Sequence, residues 1–130
     1  MKHAFPLGRA LFAAAVILGT SAALKWAAPE HLSPEWALRL TGALLGFVVV
    51  VYANVIPKSL TSLARLRSSP AAEQAARRFA GWSLVLGGLG YVLAMLFAPL
   101  AVMHLVGGAI LAAALAAALV RCLRIGKSAA

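Results

Sequence analysis

Apolar residues run along this chain in four long blocks, at about 6–26, 34–56, 70–97 and 99–123, broken by short polar or basic stretches. In the third block the apolar part begins at Phe79. A stretch of about 20 apolar residues at 1.5 Å each matches a hydrocarbon core of about 30 Å. The pattern predicts an all-α integral membrane protein, a single domain over 1–130 built as a bundle of four transmembrane helices. From Phe79 to Leu123 the chain is predominantly apolar, and as one helix it would reach about 67 Å, too long for one crossing. The break at Phe97-Ala98-Pro99 is therefore expected to be a tight turn between antiparallel helices.

The prolines punctuate the same blocks. Pro6, Pro34, Pro70 and Pro99 each open one, where a missing N–H costs little, and Pro29 and Pro57 follow the ends of the first two. Ser33-Pro34-Glu35 and Ser69-Pro70 have the form of an N-cap followed by a first-turn proline. Glu35 and Glu73 add negative charge to first turns, which suits the helix dipole.

Composition strengthens this picture. The 130 residues are 63% hydrophobic and 12% charged, and mean hydropathy is +0.93. A soluble domain of this size carries about twice that charged fraction. There is no Asp, and Glu30, Glu35 and Glu73 are the only carboxylate side chains. A net charge of +9 could suggest nucleic acid, but the basic residues cap apolar segments as topology signals do. That placement excludes nucleic acid as the partner and points to anionic lipid headgroups.

Sidedness follows from where Lys and Arg fall. Lys2, Arg9, Lys58, Arg65, Arg67, Arg77, Arg78, Arg121, Arg124 and Lys127 share one side, and Lys25 and Arg39 take the other. Both termini and the 57–78 loop are thus expected in the cytoplasm of a bacterium, with the helices in its inner membrane. Trp26 and Trp36 fit an aromatic belt at the opposite interface. Lys2 and Arg9 before a block ending near Ser21-Ala22-Ala23 also resemble a cleavable signal. Cleavage would leave three spans and undo the charge agreement, so the first block is read as a retained helix. Cys122 is the sole cysteine, so no internal disulfide is expected.

The 57–78 loop is the sizeable polar element. Leu60, Leu63 and Leu66 recur every three residues with Arg65 and Arg67 between them, which fits either a short helix on the inner leaflet or a basic linker. Within the spans small residues gather: Ala15, Gly19 and Ala23 four apart in the first, Gly42 and Gly46 four apart in the second, Gly81, Gly87, Gly88 and Gly90 in the third, and Gly107, Gly108 and the alanine tract in the fourth. They are candidate helix-packing positions, within one chain, in a homodimer or against a partner's helix.

Candidate chemistry is sparse. No acidic or basic residue lies mid-span, which excludes a proton-coupled exporter using a membrane carboxylate. No carboxylate pair, cysteine pair or histidine cluster suggests an enzyme, and no cofactor is expected. Arg39, one turn inside helix two, is expected to snorkel to the headgroups. Asn54 is expected either to cap carbonyls freed by Pro57 or to bind across helices. His31, Glu35 and His104 are weak candidates for a zinc or copper site, since their spacing is no metal motif.

One stretch resembles a known family. It reads Val51-Tyr52-Ala53-Asn54-Val55-Ile56-Pro57-Lys58, then a basic loop, then Glu73 and Arg77-Arg78-Phe79-Ala80-Gly81-Trp82, with Gly87-Gly88 beyond. This is similar to the sporulation-delaying-protein (Sdp) immunity family of membrane proteins. That family has an Asn-x-x-Pro-Lys helix end, a cytoplasmic loop and an Arg-Phe-x-Gly opening to the next helix. The match covers about fifty residues, and the loop lacks the family's Asn-Tyr-Phe and Arg-Thr-Pro-Trp stretches. The resemblance implies no catalysis. It implies immunity to a membrane-active peptide, or signalling to a cytoplasmic partner, and carries over Asn54, Pro57, Lys58, Arg78 and Gly81. With Arg65, Arg67 and Arg77 these are the candidate partner-binding residues. The alternative expectation is a small accessory subunit or transporter component docked on a larger membrane complex.

Overall fold

The structure, a computed structural model, describes residues 6–55 and 69–128. Four helices account for nearly all of them: α1 (Pro6–Ala27), α2 (Pro34–Val55), α3 (Pro70–Phe97) and α4 (Met103–Ser128). All four are long and apolar enough to cross a membrane. These are the features of a multi-pass membrane protein.

Local sequence explains the boundaries. The Ser33 hydroxyl accepts a hydrogen bond from the Trp36 N–H at 3.3 Å, and Ser69 accepts one from Ala72 at 3.3 Å. Both serines therefore cap a helix whose first residue is proline, as expected. The α3–α4 connection departs from expectation. Pro99 does not begin α4. Its carbonyl accepts from Val102 and Met103 at 3.0 and 2.9 Å, so it opens a turn over 98–102, and α4 starts at Met103 and runs to Ser128. Ala98 is held extended (φ −71°, ψ 153°), as a residue preceding proline prefers.

The helices pack in chain order. α3 is central, with α2 on one flank and α4 on the other, and α1 touches only α2, lightly. Facing residues fix the direction of each pair. A Cβ added at Gly42 would strike Met95, at Gly46 Val92 and Tyr91, and at Gly88 Val50. As numbers rise in α2 they fall in α3, so the two are antiparallel. In the same way Gly87 faces Ala114, Gly90 faces Ile110, and Gly107 faces Tyr91 and Met95, so α3 and α4 are antiparallel too.

The seams are built from small residues. The buried apolar set is Ala53, Ala76, Ala94, Met95, Met103 and Ala118, while Phe12, Trp26, Phe47, Trp82, Phe97 and Leu123 lie exposed. Apart from Met95 and Met103, small side chains lie inside and many large apolar ones outside, which reverses the usual order of a water-soluble core. Lipid rewards this arrangement, because apolar surface costs nothing there and close backbone approach supplies the dispersion energy. Gly46 and Gly88 show the approach directly: a Cβ on either would come within 3.1 Å of the other's carbonyl oxygen.

Candidate functional site

The antiparallel register gathers the described basic residues of α3 and α4 at one end. Arg77 and Arg78 lie in the first turns of α3, and Arg121 and Arg124 near the end of α4. At 1.5 Å per residue, 28-residue α3 and 26-residue α4 reach about 42 and 39 Å, longer than a hydrocarbon core of about 30 Å. The overhang carries these arginines. Glu73, one helical turn before Arg77, binds it at 2.6 Å. Arg121 lies over the Phe79 ring, 5.9 Å from its centroid, a cation–π contact joining α4 to α3.

Two grooves open at this end. The first, about 220 Å³, lies between α2 and α3 and is lined by Val50, Ala53, Asn54, Gly81, Trp82 and Val85. Asn54 and Gly81, carried over from the family resemblance, thus meet in one place although 27 positions apart in sequence. Asn54 is exposed, Gly81 is buried, and Arg78, also exposed, stands one helical turn before Trp82. The groove exists because Ala53 and Gly81 present almost no side chain between the helices. Pro57, Lys58, Arg65 and Arg67, together with Leu60, Leu63 and Leu66, lie outside the described residues. The second groove, about 420 Å³, lies between α3 and α4 and is lined by Phe79, Ala116, Ala117, Val120, Arg121 and Arg124.

The expected packing glycines divide. Gly42, Gly46, Gly87, Gly88, Gly90 and Gly107 sit in the helix seams, whereas Gly108 and Gly19 have no neighbour within 4 Å of an added Cβ. Gly108 therefore packs against no other helix among the described residues.

At the other end the structure corrects one expectation. Arg39 does not snorkel; it is 8% exposed. Its Nη1 donates to the carbonyls of Met95 at 3.1 Å, Leu96 at 3.1 Å and Ala98 at 2.8 Å, and its Nε donates to Glu35 at 3.1 Å. The cause is in the turn. The last carbonyls of a helix lack intrahelical partners. Residue 99 would normally supply an N–H to the Met95 carbonyl, but it is proline and has none. Arg39 supplies the missing donor, and its positive charge meets the negative end of the α3 dipole. The sequence signal was a Glu35-x-x-x-Arg39 pair opposite a proline break, but the acceptors are main-chain atoms 56 to 59 positions away, which no side-chain pattern reveals.

The weak metal candidates are not assembled. Glu35 is bound to Arg39 at 3.0 Å, His31 and His104 are exposed, and no group of three or more His, Cys, Asp or Glu is gathered among the described residues.

Fold and site together define a class: a small all-helical chain with four candidate membrane spans, a basic end holding two grooves, and an arginine clasp at the opposite end. The chain matches no protein-family model, no curated protein and no solved structure.

Proposed function

We propose that the protein is a non-enzymatic inner-membrane protein of immunity or signalling type. In this reading both termini and the connection between α2 and α3 are cytoplasmic, Arg77 and Arg78 belonging to the first turns of α3 rather than to a loop, and the basic end engages a membrane-active peptide or a cytoplasmic protein. The observation that carries it is the α2–α3 groove, where Asn54, Gly81 and Trp82 form a recess one helical turn from Arg77 and Arg78. The partial resemblance to the Sdp immunity family supports the same positions. Chemical poverty supports the absence of catalysis: of three carboxylates, Glu35 and Glu73 are in ion pairs, leaving little to serve as acid, base or nucleophile.

Cells expressing the protein are expected to survive challenge with a membrane-permeabilising peptide better than cells without it. Charge reversal at Arg65, Arg67, Arg77 and Arg78 is expected to abolish that protection at unchanged membrane abundance. Protection that survives the reversal would reduce the basic loop to a topology anchor and remove the proposal.

A second reading, an accessory subunit of a larger membrane complex, is favoured by α1. None of its apolar span is buried, and Gly19 faces open space. A stoichiometric membrane partner retained in mild detergent, and lost when Gly19 is replaced by Leu, would select this reading.

A further inference from the structure

The second groove is separate from the site proposed above and lies on the opposite flank of α3. Its floor is Ala116 and Ala117, whose methyl groups leave the space between α3 and α4 unfilled, and its apolar walls are Phe79 and Val120. Arg121 and Arg124, three residues apart, close one end on a shared helix face. The Phe79 contact holds the Arg121 guanidinium at the rim. No carboxylate lines the groove.

Depth gives the groove its meaning. From Met103 to Val120 the helix rises about 26 Å, close to the hydrocarbon thickness of about 30 Å. With Met103 near one boundary, Arg121 and Arg124 fall in the opposite headgroup layer and Ala116 and Ala117 lie about one turn inside it. An apolar trough below a pair of arginines matches one molecule in shape and charge.

We infer that the α3–α4 groove binds a single anionic phospholipid, its phosphate held by Arg121 and Arg124 and one acyl chain lying against Phe79, Ala116, Ala117 and Val120. Guanidinium groups suit this role because they offer paired N–H donors to phosphate oxygens. The site differs from general attraction to a charged surface: it requires the trough as well as the charges.

Native mass spectrometry of the full chain in detergent, supplied with phosphatidylglycerol or phosphatidylcholine of the same chain length, tests this. One phosphatidylglycerol is expected to be retained with about tenfold preference or more, as two guanidinium groups on one phosphate would give. Arg121→Gln with Arg124→Gln is expected to bring phosphatidylglycerol down to the phosphatidylcholine level. Ala117→Phe, which fills the trough and keeps both arginines, is expected to do the same. Arg9→Gln with Lys25→Gln removes equal charge elsewhere and is expected to leave the preference intact. All substituted positions are exposed, and circular dichroism checks that each variant remains helical. Equal loss in the two double variants would mean bulk charge attraction, and retention by Ala117→Phe would mean the lipid sits elsewhere; either result overturns the inference.

Discussion

At the scale of single residues, Arg39 has the most consequential environment among those described. One side chain answers three carbonyls at the α3–α4 turn and the Glu35 carboxylate on its own helix. Its removal leaves buried main-chain acceptors unpaired, and unsatisfied buried groups cost more than the bonds themselves contribute. Arg39→Leu is expected to lower stability by about 2–4 kcal/mol, measured by denaturant titration in mixed micelles. Arg39→Lys keeps the charge but offers one compact ammonium in place of a planar fork, so it should recover only part of that loss. Glu35→Gln should cost less than about 1 kcal/mol, because the Glu35 side chain is 52% exposed. Full recovery by lysine would show that charge alone, rather than the fork reaching several carbonyls, holds the turn. The sequence marked Arg39 as an isolated charge near a helix end. It could not mark the clasp, because a proline's missing N–H leaves a demand on the backbone, and nothing in the residue pattern says which distant side chain meets it.

Helices and their seams were largely legible, for a physical reason. Spans of apolar residues bounded by Ser-Pro caps state both their length and their start, and α2 and α3 begin at the prolines that announced them. Pro99 misled because proline serves equally well at a helix's first turn and in a connecting turn. Which glycine faces inward is less readable. Gly87 and Gly88 are adjacent, about 100° apart around the helix, yet both are used because α3 is flanked on two sides: Gly87 meets Ala114 of α4 and Gly88 meets Val50 of α2. Gly107 and Gly108 are also adjacent, but α4 has α3 alone as a neighbour, so only Gly107 is used. Small-residue spacing says which residues permit contact; the number of neighbours decides which are called upon. Gly88→Ala is therefore expected to destabilise by about 1–3 kcal/mol through overpacking, since its Cβ would meet Val50 at 2.7 Å and the Gly46 carbonyl at 3.1 Å. Gly108→Ala should stay within about 0.5 kcal/mol of the parent. Thermal unfolding of both variants in one detergent makes the comparison, and similar losses would mean that the seams are not the determinant.

For the whole molecule, the question is how the two unlike ends are set in the bilayer. The register places Arg77, Arg78, Arg121 and Arg124 at one end, whereas at the other Arg39 is buried and paired with Glu35. Buried and paired in this way, Arg39 adds little net charge to that end of the folded molecule, which leaves the basic charge of the described residues concentrated at the other end. Lys and Arg near span ends are retained on the cytoplasmic side during insertion, and the overhang of α3 and α4 keeps four such residues clear of the hydrocarbon. The proposed orientation therefore has the basic end inside and the 98–102 turn outside. In a Cys122→Ser background, Ala101→Cys should react with a membrane-impermeant maleimide in intact cells, because Ala101 is exposed in that turn. A cysteine placed instead at Gln74, in the α3 overhang, should react only after the membrane is opened. The inverse pattern would carry both grooves to the outer face. It would leave the α3–α4 lipid site open to outer-leaflet lipid alone, and it would remove any route by which the α2–α3 groove could reach a cytoplasmic partner.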